Sequence, residues 1–310
     1  WLSFDGTNTI SGTSAISDIG LSETITVIAS NGILPNAVQT FVINIRLPIY
    51  VKADATGAND GSSWADAFID LQDALELATT GCDIWVASGT YIPTVPNGDR
   101  NVSFVMKDDV GIYGGFSGTE TAQMQRDWEL NSTILSGDLN GDDVGLSNNG
   151  ENSYTVVTGA DNATLDGFTI TGGNANGGSG AAMYGGGMIN HLSSSPILTN
   201  CTFNGNSAYI GGGMYNDSLS SPILINCVFN NNSAKSGGGI ANASSFAILS
   251  NCMFSNNSAL DGGGINNYSS SPTLTNCIFN RNSAHNGGGM TNYYSTSPIL
   301  TNCIFSGNSA

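Results

Sequence analysis

The chain has little positive charge and few charged residues of either sign. Among its 310 residues, Lys and Arg number 7 against 24 Asp and Glu, which gives a formal net charge of −17. Nucleic acids and anionic membranes are bound through clustered cations, so we expect neither as a partner. The chain also lacks an apolar run near the roughly 18 residues that a membrane-spanning helix requires, so direct membrane insertion is not expected. What remains is an acidic chain, 40% hydrophobic, which favours a secreted β protein.

One motif recurs five times in the last third of the chain, with a period of 25 or 26 residues. In each copy a Cys is followed by a Phe, then by an Asn, and then by a glycine triplet. The Cys column consists of Cys201, Cys227, Cys252, Cys277 and Cys303. The Phe column consists of Phe203, Phe229, Phe254, Phe279 and Phe305. Self-similarity at this period, with short β-type runs between turn residues, predicts a solenoid whose core the Phe column fills.

The five cysteines occupy one position of the repeat, so stacked coils place them in a single column. Neighbouring strands lie about 4.8 Å apart, and Cβ atoms at that separation exceed the usual reach of a disulfide. We therefore expect a stack of buried free thiols.

Asparagine recurs at three positions of the repeat. The column directly before the Cys consists of Asn200, Asn226, Asn251, Asn276 and Asn302. The other two columns begin at Asn206 and Asn190. Asparagine tolerates the left-handed conformation of a bend, and stacked amides satisfy polar groups in buried turns. Three columns indicate three corners, which predicts a three-sided parallel β-helix.

One amphipathic helix is predicted ahead of the repeats. Ser62 or Ser63 is its expected N-cap, its apolar face extends from Trp64 to Ala78, and Gly81 is expected to end it. Such a helix would cover the core of the first coil. Irregular strands are expected from residue 82 to residue 160, before the regular coils.

The repeat resembles that of a known family. Phe-x-x-Asn followed by Gly-Gly-x-[Ile/Met], as in Phe203–Asn206 and Gly211–Met214, is similar to the repeat of chlamydial polymorphic outer membrane proteins. This chain departs from it at the third glycine, where that family usually has a small non-Gly residue. Residues 49–171 also resemble the N-terminal part of right-handed parallel β-helix proteins secreted by Bacteroidetes and related bacteria. The resemblance implies a right-handed, pectin lyase-like β-helix that is secreted or on a bacterial cell surface, with adhesion as the best-known role of the chlamydial relatives.

Residues 1–47 are predicted to form strands, in "ETITVIAS" and "TFVINI". They resemble the second half of a dystroglycan-type cadherin-like domain. The predicted fold is therefore all-β, with a right-handed three-sided parallel β-helix and an N-terminal capping α-helix, preceded by part of an immunoglobulin-like sandwich. We expect three segments, 1–47, 48–163 (cap and irregular coils) and 164–310 (regular repeats). Because the chain stops inside a repeat, we interpret it as a piece of a longer array.

The metal site that the sequence predicts is an acidic loop. Asp138, Asn140, Asp142 and Asp143 offer alternating oxygen ligands around a glycine, similar to the first half of a calcium loop. The bidentate Glu expected at the twelfth position is absent, since that residue is Asn149. The loop is interpreted either as a calcium site or as a solvated acidic turn.

Evidence for catalysis in the sequence is weak. Glycoside hydrolysis requires two carboxylates that face each other. In the repeats, Lys235, Asp261 and His285 lie just before glycine triplets, a pattern that lacks a second carboxylate. Tyrosines are available for stacking on sugars; they are Tyr215, Tyr268, Tyr293 and Tyr294.

We therefore predict a non-catalytic extracellular protein, namely a stalk, an adhesin or a fibre component at a bacterial outer surface. Its expected partners are carbohydrate or another cell surface, and copies of itself through the coil ends. Two alternatives stay open. One is a polysaccharide lyase or hydrolase with a site in the loops of residues 90–185, and the other is a carbohydrate-binding β-helix that does not cleave.

Overall fold

The computed structural model describes residues 48–310 and four strands before them. These four are β1 (Leu2–Phe4), β2 (Ile10–Gly12), β3 (Ser22–Ala29) and β4 (Ala37–Asn44). β1 pairs with β2, and β3 pairs with β4, both in antiparallel fashion. The strands expected in "ETITVIAS" and "TFVINI" are thus confirmed. The cadherin-like resemblance of residues 1–47 stays a prediction.

From residue 49 onward, strands of successive coils stack in parallel into four sheets. Sheet 1 contains β5 (Ile49–Val51), β6 (Asp83–Ala87), β9 (Gly111–Phe116), β12 (Thr164–Asp166), β16 (Ile197–Thr199), β20 (Ile223–Ile225), β24 (Ile248–Ser250), β28 (Thr273–Thr275) and β32 (Ile299–Thr301). Sheet 2 contains β7 (Gly89–Tyr91), β10 (Thr133–Ser136), β13 (Phe168–Thr171), β17 (Thr202–Asn204), β21 (Val228–Asn230), β25 (Met253–Ser255), β29 (Ile278–Asn280) and β33 (Ile304–Ser306). Sheet 3 contains β14 (Asn174–Ala175), β18 (Ser207–Ile210), β22 (Ser233–Ser236), β26 (Ser258–Asp261) and β30 (Ser283–Asn286). Sheet 4 contains β8 (Phe104–Val105), β11 (Val157–Thr158), β15 (Met188–Asn190), β19 (Met214–Asp217), β23 (Ile240–Ala243), β27 (Ile265–Tyr268) and β31 (Met290–Tyr293).

The predicted all-β parallel β-helix is confirmed, but each regular coil contributes to four sheets rather than to three sides. Two of the four turns have no asparagine column, namely the glycine triplets between sheets 3 and 4 and the segments between sheets 4 and 1, and the third asparagine column lies in a strand. Asn216 lies inside β19, not at a corner, and its side chain is fully buried between Asn190 and Asn242. A buried amide column within a strand has the same period as a corner column, so the sequence pattern does not separate them.

The Phe and Cys columns lie in the core as predicted, except that Phe305 and Cys303 of the last coil are partly exposed. The rings of Phe203 and Phe229 are stacked with centroids 4.7 Å apart, and the three following pairs are stacked at 4.5–4.9 Å. All six cysteines are free, and among the repeat cysteines only Cys303 is partly exposed. The Cys201 thiol lies 3.4 Å from the Leu165 carbonyl oxygen, to which it donates. Burial, with the neighbouring thiols, raises the pKa of Cys227 well above its usual value.

Asparagines bond from coil to coil in the two predicted corner columns. In the exposed column, Asn226 donates to the Oδ1 of Asn200 at 3.2 Å, and both have the positive φ expected of a bend (55° and 52°). In the buried column, the Nδ2 of Asn232 donates to Asn257 Oδ1 at 3.0 Å and to the Phe203 carbonyl at 2.9 Å. Each such amide therefore joins the turns of consecutive coils.

The capping helix exists but is shorter than predicted. Helix α1 is Leu71–Leu77, its N-cap is Asp70, and Asp70 accepts a hydrogen bond from the Gln72 backbone N–H at 2.9 Å. Leu71, Ala74 and Leu75 are buried in the core at the start of the β-helix. None of the helices in residues 48–310 is long and apolar enough to cross a membrane.

The expected helix start at Ser62 or Ser63 is wrong because residues 64–68 have other partners. Phe68 forms a parallel bridge with Val51 and thus extends the first coil. The Trp64 ring packs 4.7 Å from that of Tyr50, and its indole N–H donates to the Glu120 carbonyl at 2.9 Å. The spacing of Trp64 and Phe68 matches that of a helix face, but Phe68 belongs to a strand-like bridge and Trp64 to an aromatic cluster. The expected stop at Gly81 is also late, since α1 ends before Ala78.

The register of the repeats is already set one coil before the first repeat cysteine. Asp166 pairs with Thr199, and Ile170 pairs with Phe203. The strands expected between residues 82 and 160 are confirmed as β6 and β8–β11. The segment boundaries at 47 and 163 stay predictions.

Candidate functional site

The predicted acidic loop follows β10 and is folded around one carboxylate. Asp138 accepts hydrogen bonds from the backbone N–H groups of Gly141 (2.7 Å), Asp142 (3.2 Å) and Asp143 (3.1 Å). Gly141 has a φ of 70°, a conformation that glycine adopts at low cost and that turns the chain back over Asp138. These hydrogen bonds thus keep the Asp138 carboxylate close to Asp142 and Asp143.

Four carboxylates meet at this loop. One oxygen from each of Asp138, Asp142, Asp143 and Glu151 lies within 4.8 Å of the others. Three of these residues belong to the predicted set. Asn140 does not join them, because its side chain bonds Asn97 instead, at 3.2 Å in both directions.

Sequence spacing did not place Glu151 among the ligands. The calcium-loop pattern requires an acid at the twelfth position, and Glu151 lies two residues beyond it. The chain makes two further left-handed turns on the way, at Gly145 (φ 67°) and Asn148 (φ 64°). These turns return Glu151 to the cluster, and the tendency of Gly and Asn to adopt positive φ was the available signal.

The cluster holds buried negative charge. The Nδ2 of Asn152 donates to Asp143 Oδ2 at 2.7 Å and to the Gly172 carbonyl at 2.6 Å. Three further oxygens are buried without a hydrogen-bond partner, namely Asp143 Oδ1, Glu151 Oε1 and Asn152 Oδ1. Burial raises the pKa of Asp143; the Asn152 bond opposes this, and the nearby carboxylates raise the pKa further. Oxygen donors at this spacing suit a hard divalent cation.

A polar groove of about 520 Å³ begins beside these acids. Asp138 and Asp143 line one end, and the groove continues along the corner after sheet 2 to Asn231 and Asn256. Both corner asparagines have positive φ (54° and 53°). The groove therefore presents carboxylates at one end and amides at the other.

A second cleft, of about 380 Å³, lies where the chain turns from sheet 3 into sheet 4. We call it the tyrosine cleft. It is lined by Ile210, Tyr215, Ser236, Ala241, Asn242, Ala243, Asp261, Asn266, Tyr268, Tyr293 and Tyr294. The four tyrosines that the sequence singled out all line it.

The glycine triplets make this corner sharp. Gly237 has a φ of 66°, and a Cβ on Gly238 would lie 2.6 Å from carbonyl oxygens of the next coil. A Cβ on Gly239 would lie 2.5 Å from the Gly264 oxygen, which explains why the third position is also glycine. Side chains are excluded from the bend, so the two sheets meet in a concave angle.

Strand register places small residues between the tyrosines. Tyr215 pairs with Ala241 of the next coil, and Ala243 pairs with Tyr268 of the coil after it. Tyr268 then pairs with Tyr293. The alanine coil therefore lies between the coils of Tyr215 and Tyr268, which stand in columns two residues apart along the strand.

One carboxylate faces the tyrosine cleft. Asp261 accepts hydrogen bonds from Asn286 Nδ2 and from the Tyr293 hydroxyl, both at 2.8 Å, and these bonds lower its pKa. Neither Lys235 nor His285 pairs with Asp261 in register, since Asn286 lies opposite it in the next coil, although the charges of both also lower its pKa. Ser236, rather than Lys235, pairs with Asp261, and Lys235 donates to the Tyr209 hydroxyl at 2.7 Å. Asp261 is therefore a fixed, charged acceptor.

The coiled architecture and its columns define a class of protein, the right-handed parallel β-helices. Residues 136–310 match the family model described as "Right handed beta helix region", and the chain belongs to this family. No curated protein sequence matches the chain.

Several solved structures are similar to this chain at low identity. Pectin methylesterase PemA from Erwinia chrysanthemi is 12% identical with a TM-score of 0.42, over 78% of this chain and 71% of that one. Pectin methylesterase from Aspergillus niger is 14% identical with a TM-score of 0.42, over 84% and 85%. Pectate lyase Pel9A is 11% identical with a TM-score of 0.43, over 86% and 78%. At these values the likeness carries no argument about activity.

Proposed function

We propose that this chain is a non-catalytic adhesive rod of an extracellular bacterial surface, and that it binds carbohydrate in the tyrosine cleft. The observation that carries the proposal is the lining of that cleft, in which Tyr268, Tyr293 and Tyr294 are exposed beside the buried Tyr215 and one carboxylate. Sugar rings stack on aromatic faces, while a few fixed polar groups bond their hydroxyls. Asp261 and Asn266 supply such groups here.

The same lining argues against cleavage at this cleft. Hydrolysis uses an acid and a second carboxylate, and Asp261 is the single carboxylate of the lining. Because its pKa is lowered by two hydrogen bonds, it is a poor proton donor near neutral pH. Binding without turnover is the chemistry that remains.

The proposed location and role also draw on the resemblance of the repeat to chlamydial polymorphic outer membrane proteins. A stiff stack of coils would present the cleft away from an anchoring surface. Self-association through the coil ends belongs to the same proposal.

The test is binding of the purified chain to a glycan panel, followed by titration of the glycans that bind. We expect Tyr268→Ala and Tyr294→Ala each to weaken binding at least 10-fold. Tyr209→Ala is the matched control, because Tyr209 is an exposed tyrosine of sheet 3 that does not line the cleft. Equal binding by all three variants would contradict the proposal, as would release of shortened glycan.

A polysaccharide-active enzyme is the second candidate, favoured by the polar groove beside the four acids. A long groove with carboxylates at one end can hold a chain near a general acid or a bound cation. This candidate predicts depolymerisation of an acidic polysaccharide that is lost in Asp138→Asn. If every polysaccharide of the panel stays intact, this candidate is excluded and the adhesive proposal remains.

A further inference from the structure

Within the described residues, no carboxylate of the acid cluster is paired with a protein cation, and the nearby Arg100 guanidinium donates to the Asn152 and Asn174 backbone carbonyls instead. The ion pairs found in residues 48–310 are Lys52–Asp54 and Arg126–Asp166, and neither includes a member of the cluster. Four carboxylates confined within 4.8 Å repel one another. Some positive charge must offset this repulsion if all four are to stay ionised.

A second and independent observation is the set of unpartnered oxygens. Asn152 is fully buried, and its Nδ2 contacts Asp143, so its amide lies against the cluster. Its Oδ1 has no hydrogen-bond donor, nor do the buried oxygens Asp143 Oδ1 and Glu151 Oε1. Buried acceptors without donors are rare and call for an explanation such as an ion.

The type and number of ligands favour calcium, and their spacing is compatible with it. Calcium binds oxygen at about 2.3–2.6 Å, so ligands on opposite sides of the ion lie about 4.6–5.2 Å apart. The 4.8 Å spread of the four carboxylates fits within one such sphere. Magnesium requires near-ideal octahedral geometry and usually keeps several waters, so a group of four carboxylates and an amide oxygen suits calcium better. The group contains neither His nor Cys, the ligands that zinc prefers.

The cluster is also anchored to the coils. Ser153 N–H donates to the Gly137 carbonyl at 2.9 Å, and Asn174 N–H donates to the Ser153 carbonyl at 2.9 Å. Asn152 bonds the Gly172 carbonyl of the same coil. An ion held here would thus tie both ends of the 138–151 loop to the β-helix.

We propose that Asp138, Asp142, Asp143 and Glu151, with the side-chain oxygen of Asn152, bind one calcium ion that fastens this loop to the coils. The proposal goes beyond glycan binding and does not depend on it. Because Asp138 and Asp143 line the polar groove, the ion also fixes the shape of one end of that groove.

The test uses the whole chain after treatment with a chelator, titrated with CaCl₂ alone in a calorimeter. We expect one ion per chain, and MgCl₂ to bind at least 10-fold more weakly. Asp143→Asn and Glu151→Gln should each lower calcium affinity at least 10-fold. Glu129→Gln, which removes an exposed carboxylate outside the cluster, is the matched control and should bind as the parent does.

Hydrogen exchange supplies a readout that does not depend on the variants. Calcium should slow exchange in residues 138–153 and leave the coils after residue 197 unchanged. The isosteric substitutions keep side-chain volume, and unchanged exchange in those coils shows that the variants fold. No binding heat in the folded parent would overturn the proposal. Equal affinity of the parent and both cluster variants would do the same.

Discussion

Asparagine serves two different purposes in each regular coil, and its surroundings decide which. At Asn226 the side chain is exposed, and the residue is useful mainly because it tolerates a φ of 55°. At Asn232, six residues later, the amide is fully buried and bonds both neighbouring coils. The same amino acid therefore contributes backbone tolerance at one corner and hydrogen bonds at the next.

Replacing Asn232 with Ala should cost much more stability than replacing Asn226 with Ala. Asn232→Ala removes the acceptor of the Asn206 backbone N–H and the side-chain donor to the Phe203 carbonyl inside the core, whereas Asn257 Oδ1 keeps the bond from the backbone N–H of residue 232. Each buried unsatisfied group costs about 1–3 kcal/mol, so we expect a loss of at least about 3 kcal/mol. Asn226→Ala should cost about 1–2 kcal/mol, the penalty of left-handed backbone. Urea unfolding of both variants measures the difference, and equal losses would contradict this assignment.

Much of the residue scale could be predicted from the sequence because repetition makes positions visible. The Phe, Cys and two corner Asn columns follow from the period alone. The acid cluster could be predicted from the sequence only in part. Asn140 bonds Asn97 instead of joining it, and Glu151 reaches it through turns outside any repeat. In an irregular loop, contacts depend on backbone turns that local spacing does not fix.

At the scale of elements, the glycine triplet determines the shape of the coil. Its first residue has positive φ, and the next two touch the backbone of the following coil. The sequence places the triplet among the turn residues of the repeat. It did not predict the concave angle of the tyrosine cleft, because that angle depends on how sheets 3 and 4 stack.

Gly238→Ala should destabilise the protein although alanine is the smallest change available. The new Cβ would lie 2.6 Å from the carbonyl oxygens of Gly263 and Ser258, which cannot withdraw without disturbing the next coil. Overpacking of this kind typically costs about 1–3 kcal/mol.

Gly178→Ala is the control for that substitution. A Cβ at Gly178 meets nothing within 4 Å, and its φ is not in the left-handed region. It should leave stability unchanged or raise it by up to about 1 kcal/mol. Thermal unfolding of Gly238→Ala and Gly178→Ala measures the difference in stability. An unchanged stability of Gly238→Ala would contradict the prediction and show that neighbouring coils separate easily.

The helix error has a physical origin at the same scale. Apolar spacing alone predicted a helix from Trp64, yet Phe68 bonds as a strand and Trp64 packs on Tyr50. The first coil needs a hydrogen-bonding neighbour for its strand as well as a helix that covers its core. Residues 57–68 supply that neighbour. Tertiary pairing outweighed local periodicity.

For the whole molecule, charge is distributed very unevenly along the chain. Residues 48–163 contain 18 acids against 4 Lys and Arg, whereas residues 164–310 contain 3 acids against 2. The regular coils are thus almost uncharged and held by amide and aromatic columns. The irregular part carries the repulsion and includes the acid cluster. Cations should therefore stabilise the first part and barely affect the second.

A single cavity in the middle of the regular coils should have a local effect. In a solenoid each coil contacts only its neighbours, so stability is approximately a sum of nearest-neighbour terms. Phe229 is fully buried between the rings of Phe203 and Phe254. Phe229→Ala should cost about 3–5 kcal/mol and speed hydrogen exchange in the coils between residues 197 and 256.

Exchange in α1 and β5 should stay as it is in the parent, because neither contacts the altered coils. Met253→Ala is the control, since this side chain points outward from the same sheet and is 38% exposed. It should change exchange little at any position. Faster exchange along the whole chain in Phe229→Ala would instead mean that cap and repeats unfold as one cooperative unit. The acidic part, residues 48–163, would then depend on the amide columns for its stability. Removal of calcium would in that case speed hydrogen exchange in every coil.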